Sequence, residues 1–226
     1  TLFVSYSNML KSGEGMQPVH KLLMLDGATL ALKGEVEGAY SGTAYGLTLD
    51  DKTQKIYVGG RDYINEIEAK TQKVQRTLAL KNVKPQISSV QNLAVDSASQ
   101  RAFVVVFNHE DRSGPDDGLY IFDLRDGKQL GFVHTGAGAN AVKYNPKYNE
   151  LYVTNFTSGT LSVIDAKNYK VTREFVVPVY PNQMALSADM DTLFVGIKEG
   201  FNRDWDPDVF VKGAKERILR IDLNKS

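Results

Sequence analysis

The sequence predicts an all-β chain, a β-propeller of four-stranded antiparallel blades, on three observations. Short runs of Val, Ile, Leu, Tyr and Thr alternate with gaps of Asn, Gly, Ser and Asp, as in Glu150 to Val171, ELYVTNFTSGTLSVIDAKNYKV. That is the composition of short strands joined by hairpins. An aromatic residue followed by valine opens a matching apolar run in each of five repeats, at Phe3-Val4, Tyr57-Val58, Phe103-Val104, Tyr152-Val153 and Phe194-Val195, with spacings of 42 to 54 residues. Each pair is followed by an apolar run that ends in an acid: Asp26, Glu68, Asp123, Asp165 and Asp222. A period of that length fits one four-stranded blade per repeat.

The repeats run over about 1–38, 39–82, 83–135, 136–178 and 179–226 of a single propeller domain. The first opens on the strand TLFVSY, passes through a long polar segment from Ser7 to Val19, and returns as LLMLD and TLALKGEV. The second reads YGLTLD, KIYVGG, YINEIE and KVQRTLAL with short connections. The third reads NLAVD, AFVVVF, GLYIFDL and QLGFVH, with a charged, turn-rich insert from Asn108 to Gly118. The fourth is the most regular copy. The fifth reads QMALS, TLFVGI and RILRIDL, with an insert from Lys198 to Glu216 that carries the sole tryptophan, Trp205.

Counting strands from the axis outward, all three long inserts join the second strand of a blade to the third. In an up-and-down blade those connections emerge at the same end as the links between blades. Long loops on a rigid scaffold carry function, so this end is the expected working end.

Tyr152-Val153-Thr154-Asn155 is the YVTN signature. On it, and on the run from Asn140 to Leu223, the chain resembles the C-terminal blades of bacterial YncE-like YVTN-repeat propellers. The resemblance implies seven blades and a periplasmic protein whose signal peptide lies outside this sequence. The first repeat lacks an innermost strand and the last lacks an outermost one, so five repeats alone have no spare strand for closure. The expectation is five blades of a seven-blade ring, completed by a second chain, a removed segment or further residues. A closed five-blade ring is the alternative.

Composition narrows the function classes. Formal net charge is zero, which supplies no general attraction to nucleic acid or anionic membranes. There is no cysteine, hence no disulfide, thiolate metal site or cysteine nucleophile. No apolar run approaches the length of a membrane span. No nucleophile elbow, phosphate loop or HExxH motif is present.

Three groups of residues remain as candidates, none of them catalytic. Tyr45, Gln91, Asn140 and Asn182 enter the innermost strands, and Lys143 lies deeper, where Thr48, Ala94 and Ala185 are small. Together they could line a ligand pocket, or the polar groups could satisfy backbone at the blade links. Phe201, Arg203, Trp205 and Lys212 combine aromatics with cations, suited to single-stranded nucleic acid or a protein partner, or to packing on the blade itself. His20, His109 and His134 fall at the working end, where imidazoles could hold a metal or haem, or could be unconnected loop residues. The acids that close the third strands are expected to cap turns. The reading that unites these features is a non-enzymatic periplasmic propeller that recognises a protein or small ligand and needs no cofactor.

Overall fold

The computed structural model describes residues 1–12, 15–40, 45–84, 87–110, 116–198 and 215–224, without the side chains of 12 and 15–17. Eighteen strands form five antiparallel sheets, and no helix occurs among the described residues. The first blade is β1 (Leu2–Ser12), β2 (Gly15–Leu25) and β3 (Leu32–Glu35). The second is β4 (Leu47–Asp50), β5 (Lys55–Gly59), β6 (Tyr63–Glu68) and β7 (Lys73–Ala79). The third is β8 (Ser88–Asp96), β9 (Arg101–Asn108), β10 (Gly118–Asp123) and β11 (Gln129–His134). The fourth is β12 (Ala139–Asn145), β13 (Glu150–Asn155), β14 (Thr160–Asp165) and β15 (Lys170–Val176). The fifth is β16 (Pro181–Leu186), β17 (Thr192–Ile197) and β18 (Arg217–Asp222). Strand order follows the sequence within every sheet. These are the blades of a β-propeller.

Two compact units can be distinguished. Residues 1–104 and 120–131 make the first, residues 105–119 and 132–226 the second. In the first, Leu22 and Met24 of β2 pack with Ile56 and Val58 of β5 and Ile67 of β6. In the second, Tyr152, Leu161 and Val163 pack with Met184, Leu193, Val195 and Ile197. Each core is therefore a blade-to-blade interface. The middle strands have both faces covered, so β6, β10 and β14 are buried almost throughout, polar Asn65, Glu66 and Ser162 included. Outer strands face solvent: β7 alternates and β15 is exposed along its whole length.

The turns at the short-connection end follow one design. The acid that ends each third strand accepts backbone N–H bonds two or three residues on. Asp26 takes Ala28 and Thr29, Glu68 takes Lys70, Asp123 takes Arg125, Asp165 takes Lys167 and Asn168, and Asp222 takes Asn224. Leu30, Gln72 and Tyr169 then turn the chain with φ of 59°, each donating its N–H to the acid's own carbonyl four residues back. The expected capping role of these acids is what the bonds show. Register shifts at Met24/Leu25, Glu66/Ile67 and Val163/Ile164 place a bulge just before that acid in three blades, which twists the outer strand.

One expectation needs correction. Ser7 to Val19, read as a polar loop, is paired strand: β1 and β2 stay in register from Leu2↔Leu25 to Ser12↔Gly15. β3 pairs only with Leu23 to Leu25, so beyond that point the hairpin is a two-stranded ribbon. Its polarity reflects emergence from the core, not loss of strand structure.

Candidate functional site

Each unit, taken by itself, carries a groove at a long-connection end of its blades. In the first unit the ribbon forms one wall. Side chains alternate along a strand, so Phe3, Ser5, Ser7 and Met9 share a face with their cross-strand partners Met24, Leu22, His20 and Pro18. Leu22 and Met24 are core residues, whereas Ser7, Met9 and Pro18 are exposed. The same face thus passes from core to solvent, with half-buried His20 at the boundary. Tyr45, before β4, and Arg61, in the turn between β5 and β6, close a groove of about 540 Å³ against Ser7, Asn8, Met9, Pro18 and His20.

Inside the groove the imidazole is the distinctive group. His20 Nδ1 is shut off from solvent and has no hydrogen-bond partner. Burial first, and the Arg61 charge second, hold the ring below its ordinary pKa of 6.5. His20 is therefore neutral at pH 7. Tyr45 is 50% exposed, so its ring is available to a ligand. Asn8, also in the lining, donates from Nδ2 to Tyr6 Oη at 2.9 Å and accepts from the Met9 N–H at 2.8 Å, which fixes its amide.

In the second unit two of the amides singled out from sequence meet. Asn140 Nδ2 donates to Asn182 Oδ1 at 2.7 Å. Thr154 Oγ1 donates to the Asn182 carbonyl at 2.9 Å and accepts the Ala141 N–H at 3.1 Å. That bridge stitches the start of β12 to the start of β16. Asn182 and Gln183 then line a groove of about 380 Å³ with Ile197, Lys198, Glu216 and Arg217.

The remaining candidates are separate. Gln91 donates from Nε2 to Ser89 Oγ at 2.7 Å within β8. Lys143 is half-buried in β12, opposite Tyr152. The His109 ring lies 5.1 Å from that of Phe107, tilted by 53°, just past β9, and the His134 ring lies 6.2 Å from that of Phe132 at the end of β11. Among the described residues no group of three or more His, Asp and Glu side chains could hold a metal ion. Phe201, Arg203, Trp205 and Lys212 lie outside the described residues.

Two features escaped the sequence reading. Arg61 was passed over because its connection is short. Asp116 and Asp117, read as part of a charged insert, are buried. Asn108 Nδ2 donates to Asp116 Oδ1 at 2.9 Å. Asp117 accepts the Gly138 and Ala139 N–H groups, one on each oxygen, both at 2.8 Å. This clamp belongs to the blade link. Gly138 sits there at φ 76° with Thr157 packed where a Cβ would go, so glycine is required. The Asp-Gly pair at Asp117-Gly118 was the available signal.

No family profile matches the chain. It is 35% identical over 195 residues to YncE of Salmonella typhi, covering 85% of this chain and 52% of that protein. Against YncE of Escherichia coli (strain K12) the figures are 34% over 190 residues, 83% and 50%. The chain thus spans about half the length of the curated relatives it matches. Among solved structures it is similar to Kuenenia stuttgartiensis hydrazine synthase, with a TM-score of 0.64 at 17% identity over 84% of this chain and 50% of that one. The β-propeller domain of Myceliophteria thermophila Cps50 (Swd1) gives 0.64 at 12% identity over 87% of this chain and 59% of that one. At these identities the two structures speak to the fold alone. Repeat, blade topology and relatives agree: the chain is a YVTN-repeat β-propeller that resembles YncE.

Proposed function

We propose that this protein is a non-enzymatic binding propeller of the periplasm that recognises a protein or a small ligand at the long-connection ends of its blades. One observation carries the reading: residues picked from sequence as pocket-lining, Tyr45 and Asn182, each line a groove at that end. Tyr45 is joined there by His20 and Arg61, and Asn182 by Lys198, Glu216 and Arg217. Grooves of this size that mix apolar and polar side chains are what small-ligand sites look like. The other end of each blade carries tight capped turns, and a groove of about 450 Å³ there, beside Gln54, Glu68 and Lys70, holds none of the residues picked from sequence as pocket-lining.

The periplasmic placement rests on the resemblance to YncE. It agrees with the absence, among the described residues, of any helix long and apolar enough to cross a membrane. Osmotic-shock fractionation of the full-length protein tests it, and retention in the cytoplasm would overturn it.

A screen of small metabolites and short peptides by ligand-observed NMR tests the binding role. Hits should lose at least about ten-fold in affinity on Tyr45→Ala or Asn182→Ala, which is about 1.4 kcal/mol. They should be unchanged on Lys167→Ala, in a turn at the other end. Hits indifferent to both groove variants would place recognition elsewhere and refute the reading.

A further inference from the structure

We propose that the paired side-chain amides of Asn140 and Asn182 recognise a secondary amide, the group that a peptide ligand carries. The inference rests on the binding role above and names the ligand class for the groove beside Asn182.

Two irregular strands build the site. In β12, Ala139 pairs with Asn155 and Ala141 with Thr154, so Asn140 stands between them as an extra residue. In β16, Pro181 pairs with Ile197 and Met184 with Val195, so Asn182 and Gln183 stand opposite Gly196 alone. Bulges of this kind re-aim a side chain and interrupt the ladder, whose backbone groups must then be satisfied in another way. Thr154, fully buried, does this for both strands. Its Oγ1 accepts the Ala141 N–H at 3.1 Å and donates to the Asn182 carbonyl at 2.9 Å. The asparagine side chains are therefore not spent on these backbone groups. They bond to each other instead, from Asn140 Nδ2 to Asn182 Oδ1 at 2.7 Å.

That bond leaves complementary groups over. A side-chain amide has two N–H donors and an oxygen with two lone pairs. Among the described residues neither of these two side chains makes another hydrogen bond. Both residues are half-buried, so part of each stays open to solvent. Asn140 offers Oδ1 as an acceptor, and Asn182 offers Nδ2 as a donor. A neutral acceptor beside a neutral donor matches a group with its own N–H and C=O, which is a secondary amide. A carboxylate brings no donor, and an ammonium brings no acceptor. Asn182 also lines the groove of about 380 Å³, which reaches Ile218, 75% exposed. An aliphatic side chain next to the ligand's amide would cover that surface.

The test is a titration of isotope-labelled protein with N-methylisovaleramide. Its N,N-dimethyl analogue keeps the carbonyl and the body and removes the N–H. Isovalerate puts a charge in the amide's place, and adenosine presents a donor and an acceptor on a base. The secondary amide should shift the side-chain amide resonances of Asn140 and Asn182 and saturate below about 50 mM, as suits a ligand of about eight heavy atoms. The tertiary amide and isovalerate should each bind at least about five-fold more weakly, the worth of one hydrogen bond.

Asn140→Ala should weaken the secondary amide at least about five-fold and leave the tertiary amide unchanged. An unchanged melting temperature shows that the variant is folded, and if it is not, the resonance shifts and the analogue series in the wild-type protein decide. The proposal is overturned if the tertiary amide equals the secondary one, if the shifts miss both asparagines, or if folded Asn140→Ala binds as before. Tighter binding of adenosine than of the amide would also overturn it, in favour of a base. Failure here alongside screen hits lost on Tyr45→Ala would remove this ligand class and keep the binding role. Hits indifferent to both grooves would remove both.

Discussion

The first and fourth blades contain the same hairpin, ended differently. Phe3, Val4, Ser5 and Tyr6 match Tyr152, Val153, Thr154 and Asn155 position for position. In the fourth blade the strand stops at Asn155, which pairs with Thr160 across the turn. Asn155 is fully buried and donates from Nδ2 to Thr160 Oγ1 and Ser162 Oγ, both at 2.9 Å. The amide closes the tip inside the blade. In the first blade Tyr6 stands at that position and the strand runs on to Ser12. One residue thus separates a sealed tip from a ribbon that leaves the core and presents a groove. The lesson is that working surface is made where the closing amide is missing, on a scaffold that is otherwise repeated.

The largest effect should come from unsealing the closed tip. Asn155→Leu keeps the volume and removes both donors, leaving the Thr160 hydroxyl with Ser158 and the Ser162 hydroxyl with Glu174. Losing two buried bonds outweighs removal of the unpartnered Asn155 Oδ1, and a loss of about 1–2 kcal/mol is expected. Tyr6→Leu, at the matching position of the open tip, should cost under about 1 kcal/mol. Urea unfolding of the two variants checks the contrast, and equal losses would break it.

Acidification should come next, because the opposite ends of the blades depend on charged caps. Asp50, the last residue of β4, is buried, which raises its pKa. Bonds from Ser97, Thr53 and the Lys52 N–H outweigh that and leave the net shift downward. Because the folded pKa lies below the unfolded one, this stabilisation is complete above about pH 4 and drains away as pH falls through the folded value. Asp50→Asn should flatten that acid limb of the stability curve. A wild-type curve already flat below pH 4 would contradict the argument.

A smaller effect is expected from removing the open ribbon. Replacing residues 8–19 with an Asn-Gly turn between Ser7 and His20 deletes strand that no third strand covers. Stability should change by under about 1 kcal/mol, because closure cost varies slowly with loop length. Binding of any ligand that depends on Tyr45 should be lost altogether, because the ribbon forms one wall of that groove. A variant that fails to fold would show that the ribbon supports the blade.

How far the sequence disclosed this follows from which signals are local. The aromatic-Val pairs all fell on strands, fully buried in the second, third and fourth blades and half-buried at Phe3, Val4 and Phe194, and the acids at 26, 68, 123, 165 and 222 became turn caps, because both roles depend on near neighbours. Tyr45 and Asn182 were found by aligning equivalent positions. Arg61 was not, because a groove wall is chosen by the approach of two blades and not by loop length. The Ser7 to Val19 ribbon was misread because polarity signals exposure equally in loops and in uncovered strands. Asp117 looked like surface charge, because the two amides that hold it lie 21 and 22 residues away in the chain.

The smallest effect tests the part of the molecule in which the blades are alike. Tyr169 occupies the left-handed region at φ 59° as the last residue of the turn after β14, where a side chain costs energy and glycine does not. Its N–H bond to the Asp165 carbonyl, at 2.8 Å, is made by the backbone and survives substitution. Tyr169→Gly relieves that strain but gives the unfolded chain more freedom, so the two effects oppose each other. A net stabilisation of about 0.5 kcal/mol is expected, because the non-glycine penalty in this region is the larger of the two. Gln72→Gly, at φ 59° in the matching turn of the second blade, should give the same sign and size. Thermal unfolding of the two variants in parallel provides the check. Opposite signs would mean that the turns are alike in backbone only and that side chains decide their stability, so the repeat could no longer serve as a uniform scaffold against which the open and sealed tips are compared.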